Sequence, residues 1–307
     1  MYLRALVAIT LLLTVAQTAL AMNDQISTWG GMSAAVKSGK VRTWGNYQPI
    51  IPADLTNAAS ISYGHAGLMV LKIDGTVAVY PNTFPYVEND PILLNFPTGL
   101  NNVRALVGYS EFALALKNDG TVVAWGSNGH GSLNVPAGLS GVVAVAAGDG
   151  HALALKNDGT VVTWGGDNFN VNVKQLLEVP AGLSNVVAIS AGSGFSVALK
   201  ADGTVVVWGS NVNYVVRDYL GNSTTSGLSN VVAISAGYGH VLALKSDGTI
   251  AAWGGDVSYY ESLLGLCNVK AISAHWRQSL VLQNDGTLVC LGLGCDSTPT
   301  NYYKTCP

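Results

Sequence analysis

The sequence predicts an all-β protein, specifically a seven-bladed β-propeller made of four-stranded antiparallel blades. The first observation is a repeat consisting of an apolar run, an Asp-Gly-Thr turn and a second apolar run that ends in Trp-Gly, clearest from Val142 to Gly165. The second is the spacing of the turn glycines, which is 36, 45, 39, 44, 45 and 38 residues. Periods of this size are typical of repeat architectures. The turn glycines are Gly39, Gly75, Gly120, Gly159, Gly203, Gly248 and Gly286.

Each repeat contains three runs that are typical of strands, of the types VVAISAG, HALALK and TVVAW. Their length, their β-branched residues and their flanking glycines favour strands, and Asp-Gly between the second and third run indicates a hairpin. The small residues of the first run suit a strand close to an axis where several sheets converge. A fourth, outer strand is predicted after each Trp-Gly, because apolar runs there end in proline, which edge strands tolerate. Its candidates lie at Ile50, Leu93, Ser132 and Leu176.

The ends of the chain are predicted to lie outside the propeller. Residues 1–21 combine Arg4, an apolar stretch and the small residues of Ala19-Leu20-Ala21, as a secretory signal peptide does. An uncleaved N-terminal anchor is the alternative. Residues 22–296 are assigned to the propeller and residues 297–307 to a tail tethered by a disulfide. We therefore expect a secreted or periplasmic protein with no membrane span after cleavage.

Composition excludes one class of partner. Charged residues make up 11% of the chain, the net charge is −3, and no run of Lys and Arg is present. Proteins that bind nucleic acid present a basic patch, so no nucleic-acid partner is expected.

All four cysteines, Cys267, Cys290, Cys295 and Cys306, lie near the end of the sequence. An even number in an exported chain favours disulfides, and four cysteines allow three connectivities. We favour Cys267–Cys290 with Cys295–Cys306, because the second pair closes a short terminal loop. A zinc site is disfavoured, because no Cys-x-x-Cys spacing is present, and no metal or other cofactor is expected.

The repeated motif, GxxHxLALKxDGTVxxWG, resembles the regulator of chromosome condensation repeat from about Ile26 to Gly292. That family implies a seven-bladed propeller. The motif departs from the family at Ser38-Gly39-Lys40, at Tyr80-Pro81 and at Gln278, which replaces the usual His.

The family's eukaryotic founder is a nuclear exchange factor for a small GTPase and binds nucleosomes, roles that do not suit an exported, slightly acidic chain. The sequence VPAGLSNVVAISAG from Val179 is also similar to secreted bacterial propellers that inhibit β-lactamases. Those propellers grip their target with aromatic loop residues on one face.

The candidate binding site lies in the loops between the first and second strand of each blade. Equivalent loops of a propeller share one face, and loops carry most binding sites. Aromatic residues and Arg dominate binding hot spots. The alternative is that irregular terminal blades have simply lost the consensus residues. The candidates are Trp29, His65, Tyr109, Glu111, Tyr238, His275, Trp276 and Arg277.

Several tempting motifs are interpreted as structural. His151 and His240 occupy a repeat position where Phe112 and Phe195 also occur, so packing explains them better than catalysis. The Asp of each Asp-Gly-Thr is assigned to the turn, and the Trp of each Trp-Gly to packing between blades. No nucleophile motif is present, so no catalytic residue is assigned. Asn222 begins an N-glycosylation sequon that only a eukaryotic source would use.

The sequence thus favours a non-enzymatic module that binds a protein partner or assembles with itself outside the cell. One alternative is a protein inhibitor of an enzyme, which should place Trp29, Tyr109 and Trp276 together on an exposed rim. The other is a carbohydrate-binding propeller with similar pockets around the ring.

Overall fold

The structure, a computed structural model, describes residues 25–83, 90–166, 173–210, 228–255, 261–292 and 295. The predicted signal peptide, Asn222, Cys306 and the tail 297–307 lie outside these residues. In the described part of the chain, no helix is long and apolar enough to cross a membrane.

The described residues form seven three-stranded antiparallel sheets, each built from strands that are consecutive in the chain. We number them as blades 1 to 7. The strands are β1 (Gln25–Trp29), β2 (Met32–Lys37) and β3 (Lys40–Gly45) in blade 1; β4 (Ala58–Gly64), β5 (Gly67–Lys72) and β6 (Val77–Pro81) in blade 2; β7 (Val103–Gly108), β8 (Phe112–Lys117) and β9 (Val122–Gly126) in blade 3; β10 (Val142–Ala147), β11 (His151–Lys156) and β12 (Val161–Gly165) in blade 4; β13 (Val186–Ala191), β14 (Phe195–Lys200) and β15 (Val205–Gly209) in blade 5; β16 (Val231–Ala236), β17 (His240–Lys245) and β18 (Ile250–Gly254) in blade 6; and β19 (Val269–His275), β20 (Gln278–Gln283) and β21 (Leu288–Gly292) in blade 7.

The all-β propeller with seven blades is confirmed, but the prediction of a fourth strand per blade is wrong for the described residues. The segments proposed for it form turns or the short helices α1 (Pro91–Leu94) and α2 (Val173–Leu177), and a 3₁₀ helix covers Glu261–Leu263. Each short helix buries an apolar side chain, namely Ile92, Leu176 or Leu263. The buried side chain packs against the blade, so the blade is covered there without a fourth strand and its ladder of hydrogen bonds.

Asp-Gly-Thr turns close six of the seven hairpins, and four of these turns also accept a hydrogen bond from the next blade. The carboxylate of Asp158 accepts hydrogen bonds from the backbone N–H and the hydroxyl of Thr160, at 3.0 and 2.6 Å. The Thr160 hydroxyl is the main reason why the pKa of Asp158 falls to about 2. Gly159 has a φ of +78°, which glycine adopts without strain. Its carbonyl accepts the N–H of Val186 in blade 5 at 3.2 Å. The structural role predicted for these Asp residues is confirmed.

The inner strands are β1, β4, β7, β10, β13, β16 and β19, and serine hydroxyls join four neighbouring pairs of them. Ser235 in blade 6 accepts the N–H of Ala274 in blade 7 at 2.8 Å, and Ser190 accepts that of Ala236 at 3.0 Å. Ser27 and Ser62 make the same contact from blades 1 and 2, at 2.9 and 3.0 Å. Blades 3 and 4 carry Val107 and Ala146 at this position. The small residues predicted near the axis therefore include a set of interblade hydrogen-bond acceptors.

The second strands meet at seams of two chemical types. At polar seams, His151 lies 3.1 Å from the hydroxyl of Ser196 in the next blade, and His240 lies 2.9 Å from that of Ser279. At apolar seams a Phe or Met takes the histidine position, and the equivalent residue of the next blade has no polar side chain. Met32 with Leu68, Phe112 with Ala152, and Phe195 with Val241 each share one hydrophobic cluster. The consensus histidines are thus buried seam residues, as predicted.

Ring closure between blades 7 and 1 uses the same polar type of seam. Gln278 takes the histidine position, and its Nε2 donates to the Ser33 hydroxyl at 3.0 Å. The Thr28 hydroxyl also forms a hydrogen bond with Gln278 Oε1. Around this seam Trp44, Leu280 and Cys290 are buried together. Side-chain contacts of the kind found between other blades therefore close the described ring.

The favoured cysteine pairing is wrong. Cys290 is bonded to Cys295, five residues later, and Cys267 forms no disulfide with another described cysteine. Gln278 Nε2 lies 3.2 Å from the Cys290 sulfur, which places the disulfide beside the closing seam. A loop this short stabilises the fold by about 2 kcal/mol in the loop-closure account.

Converting one polar seam into an apolar one tests whether the two side chains that meet at a seam must be of the same chemical type. We call this requirement the pairing rule. His151→Phe leaves Ser196 unpaired, and Ser196→Val leaves the imidazole unpaired, so each should cost about 1–3 kcal/mol of unfolding free energy. The double variant reproduces the Phe195 and Val241 pair of blades 5 and 6, and should recover most of that loss. Urea unfolding of the four proteins in a double-mutant cycle measures the coupling. Simply additive losses would contradict the rule.

The same variants change the pH dependence of stability. Burial lowers the pKa of His151 from 6.5 to about 4, so the folded state keeps the imidazole neutral while the unfolded state binds a proton. The wild type therefore loses stability as the pH falls from 6.5 to about 4. The double variant should lose less over this window, whereas Lys40→Gln, at an exposed position, should behave as wild type.

Candidate functional site

The seven loops between first and second strands lie together at one end of the propeller axis, as predicted. We call them the axial loops; they are residues 30–31, 65–66, 109–111, 148–150, 192–194, 237–239 and 276–277. Backbone hydrogen bonds join neighbours: Tyr238 N–H donates to Trp276 O at 2.8 Å, and Ser193 N–H donates to Tyr238 O at 3.3 Å. Asp149 N–H donates to Gly192 O at 3.2 Å. The loops thus form a connected rim with little freedom to rearrange.

Three blades depart from the repeat two residues after the inner-strand serine position. Blades 2, 4, 5 and 6 have glycine there, and a Cβ at Gly148 would lie 2.4 Å from the His151 ring. Blades 7, 1 and 3 instead carry His275, Trp29 and Tyr109 at that position. A ring side chain at this point of three converging strands lies at the axis.

The rings of these three residues pack against one another, and we call the group the axial cap. The centroids of Tyr109 and His275 are 4.2 Å apart, those of Trp29 and His275 4.3 Å, and those of Trp29 and Tyr109 5.7 Å. Tyr109 is only 3% exposed and His275 9%. The sequence therefore identified residues that meet in space, although their sequence positions span almost the whole chain.

The expectation that all of these aromatics form an exposed contact rim is wrong. Because the inner strands converge, the space left at the axis is narrow enough for three rings to fill. Tyr109 and His275 are consequently buried in the cap and cannot contact a protein surface directly. The exposed rim with Trp29, Tyr109 and Trp276 together, which an inhibitor of the β-lactamase-inhibiting kind would need, is not formed.

The remaining candidates surround the cap at the surface. Trp276 is 39% exposed, and its ring lies 3.7 Å from the position that a Cβ on Gly30 would occupy. Arg277 and Glu111 are exposed, while Tyr238 is half-buried. Trp276 also has a φ of +42°, in the left-handed region where a bulky residue is strained. The exposed part of the candidate site is thus an aromatic residue, flanked by charged groups, on a rigid base.

His65 is held at the edge of the cap by a residue that sequence reasoning missed. Its Nδ1 lies 2.7 Å from the Asp90 carboxylate, which is buried and also accepts the N–H of Ile92. The Asp90 hydrogen bond, ahead of the charges of Asp90 and Glu111, raises the pKa of His65 above 6.5, although partial burial opposes the shift. Asp before Pro91 was a readable helix N-cap signal. His65 also contacts Trp29 edge-on, with ring centroids 6.2 Å apart.

The arrangement favours binding over chemistry. Among the described residues, no group of three His, Cys, Asp or Glu side chains is placed to hold a metal ion. His65 and Asp90 form a dyad, but the sequence offers no nucleophile motif beside it. The axial-loop face combines an exposed indole with fixed donors and acceptors.

The comparisons agree with this fold. The model of the regulator of chromosome condensation (RCC1) repeat matches residues 103–132, 142–170, 186–214 and 231–259, which correspond to blades 3 to 6. A comparison with curated protein sequences finds no match.

Solved structures with a similar fold include two plant receptor ectodomains and a yeast protein. The entire ectodomain of the receptor kinase CR4 from Physcomitrella patens aligns with a TM-score of 0.61 and 23% identity, over 76% of this chain and 62% of that one. The CRINKLY WD40 ectodomain of ACR4 from Arabidopsis thaliana gives a TM-score of 0.63 and 17% identity, over 90% of this chain and 97% of that one. Prp20p from Saccharomyces cerevisiae gives a TM-score of 0.50 and 20% identity, over 89% of this chain and 75% of that one. The chain thus spans about 62% of the CR4 ectodomain's length. At these identities the likeness establishes the fold.

The link between His65 and Asp90 can be tested by titration. Because the folded pKa of His65 is raised, its contribution to stability is complete below pH 6.5 and is lost as the pH rises through the folded value. Asp90→Asn keeps a helix cap but removes the charge, so the NMR titration midpoint of His65 should fall. Glu111→Gln should lower it less. An unchanged midpoint in Asp90→Asn would contradict the assignment.

Proposed function

We propose that this propeller of regulator of chromosome condensation repeats is an exported protein-binding module that contacts its partner through the axial-loop face. The observation that carries the proposal is Trp276, a partly exposed indole in a strained backbone conformation. Strain of this kind persists where the surrounding structure holds it, and it is concentrated at functional sites. Trp and Arg are also the residue types most enriched in binding hot spots.

Rigidity of the face supports the same proposal. The Trp276 carbonyl accepts the Tyr238 N–H, and Gly30 supports the indole from below. Beneath both lies the packed axial cap. Since these side chains are already fixed before a partner arrives, little conformational entropy is lost on binding.

Export is proposed from two observations. Residues 1–21 have the pattern of a signal peptide, and the Cys290–Cys295 disulfide is of a kind that persists in oxidising compartments. The plant ectodomains of similar fold are parts of receptor kinases, which is consistent with a propeller that works outside the cell. Secretion of the full-length chain with loss of its first 21 residues would be direct evidence.

Assembly with other copies is a second candidate, favoured by a different surface. Ile50 is 82% exposed, and Tyr47, also exposed, lies close by in the segment that follows β3. A large apolar side chain left so exposed is a feature of association surfaces. This patch belongs to the outer part of blade 1, whereas Trp276 belongs to the axial loops.

Two matched variants separate these functions. We expect affinity capture from native extracellular material to recover a partner with the wild type and with Ile50→Ser, but not with Trp276→Ala. Once the partner is identified, Trp276→Ala should weaken binding about 30-fold, the equivalent of a hot spot of about 2 kcal/mol. An unchanged thermal midpoint serves as the folding control.

The opposite pattern would contradict the axial-loop proposal. In that pattern the wild type and Trp276→Ala recover only further copies of the protein itself, and Ile50→Ser recovers nothing. Assembly through blade 1 would then be the function.

A further inference from the structure

The axis of the propeller contains a cavity of about 190 Å³ below the axial cap. At least two residues of every inner strand line it, and Tyr109 and His275 of the cap form part of its wall. A water molecule needs about 10–15 Å³ of such space, so the cavity can hold on the order of ten waters or one small organic molecule. Because three packed rings fill the cap end, entry is expected from the opposite end, where the inner strands begin.

Hydroxyl groups surround the cavity. Ser27, Ser62, Ser190 and Ser235 line it, and each hydroxyl oxygen accepts a backbone N–H from the next blade. A serine hydroxyl can accept and donate at the same time, so each retains its own hydrogen for a second partner. Ser273 adds a fifth hydroxyl to the wall. The wall thus presents several hydrogen-bond donors held in fixed positions by the interblade contacts.

The cap closes the cavity with rings and not with polar atoms. Both ring nitrogens of His275 and the hydroxyls of Tyr109 and Tyr63 are inaccessible to water and have no hydrogen-bond partner among the described residues. These polar atoms therefore do not face the cavity, although the three residues line it. The hydrogen-bonding groups that the wall offers are its serine hydroxyls.

The wall is uncharged. None of the described residues that line the cavity is Asp, Glu, Lys or Arg. Burial, with a smaller contribution from His240, lowers the pKa of His275 to about 3, so its ring is neutral at ordinary pH. A charged ligand would lose its hydration here without gaining an opposite charge, whereas an uncharged one would lose little. The cavity therefore selects for neutral molecules that both donate and accept hydrogen bonds.

We propose that this axial cavity is a binding site for a small, uncharged, hydroxyl-rich molecule of monosaccharide or cyclic-polyol size, with the serine hydroxyls of the wall as its polar contacts. Hydroxyl groups of such a ligand match the serine hydroxyls along the wall, and the rings of the cap offer it an apolar end. The site lies beneath the cap and does not include Trp276, so it is separate from the protein-binding face proposed above.

The test uses the full-length protein with glucose and myo-inositol as neutral probes, and gluconate and glucosamine as charged probes of similar size. We expect calorimetry to show saturable binding of at least one neutral probe, with a dissociation constant on the order of millimolar. The charged probes should bind at least tenfold more weakly. Trp29 fluorescence should change with the same midpoint, since its ring contacts His275.

Two conservative variants identify the contacts. Ser273→Ala removes a wall hydroxyl that makes no hydrogen bond among the described residues, so the variant should remain folded and bind roughly tenfold more weakly. Tyr109→Phe removes a hydroxyl that does not face the cavity and should bind the probes as the wild type does. Trp276→Ala should bind the probes as the wild type does.

Several results would overturn the proposal. These are no saturable binding of either neutral probe at concentrations up to about 100 mM, equal binding of the charged probes, or undiminished binding by Ser273→Ala. Loss of probe binding in Trp276→Ala would place the site on the axial-loop face instead.

Discussion

The contact between neighbouring blades is the constraint on which the rest of this structure depends. Among the described residues, ladders of backbone hydrogen bonds join strands only within a blade. The ring is held by what crosses the seams: a turn carbonyl at five of them, a serine hydroxyl at four, and at most of them a side-chain pair between second strands. Because those second-strand positions are buried, their chemistry must match across the seam. His151 with Ser196 and Phe195 with Val241 satisfy this requirement in opposite ways.

Convergence of the blades also determines where function can reside. Seven inner strands approach one axis, so small residues line most of it, and any large residue there meets its counterparts from other blades. Trp29, Tyr109 and His275 are the residues that break the repeat at this point, and they close one end of the axis. The cap separates two environments. Above it, Trp276 is partly exposed on the axial loops; below it, serine hydroxyls line the cavity.

Much of this could be predicted from the repeat, and the failures have physical causes. The turns, the buried tryptophans and the packing role of His151 follow from local chemistry that recurs in each unit. Its partner Ser196 was not identified, because the pairing depends on how blades meet. The sequence predicts a strand at Leu176, but this segment forms α2, because so short an apolar pair as Leu176-Leu177 fits a helix equally well. The motif placed Tyr109 in the correct loop, but its burial depends on convergence at the axis. Asp90 was visible as a helix cap, although its contact with a distant blade loop was not.

Residue-resolved hydrogen exchange of the wild-type protein tests the seam account most directly, because the chain contains its own controls. The amides of Ala236 and Ala274 donate to a serine of the preceding blade. Those of Ala147 and Ala191 occupy the same position, but there the preceding blade has Val or Ala. We predict that the first pair exchanges roughly fivefold to tenfold more slowly than the second, the equivalent of about 1 kcal/mol for each hydrogen bond. Equal rates for the two pairs would contradict the claim that side chains at the seams hold the ring together.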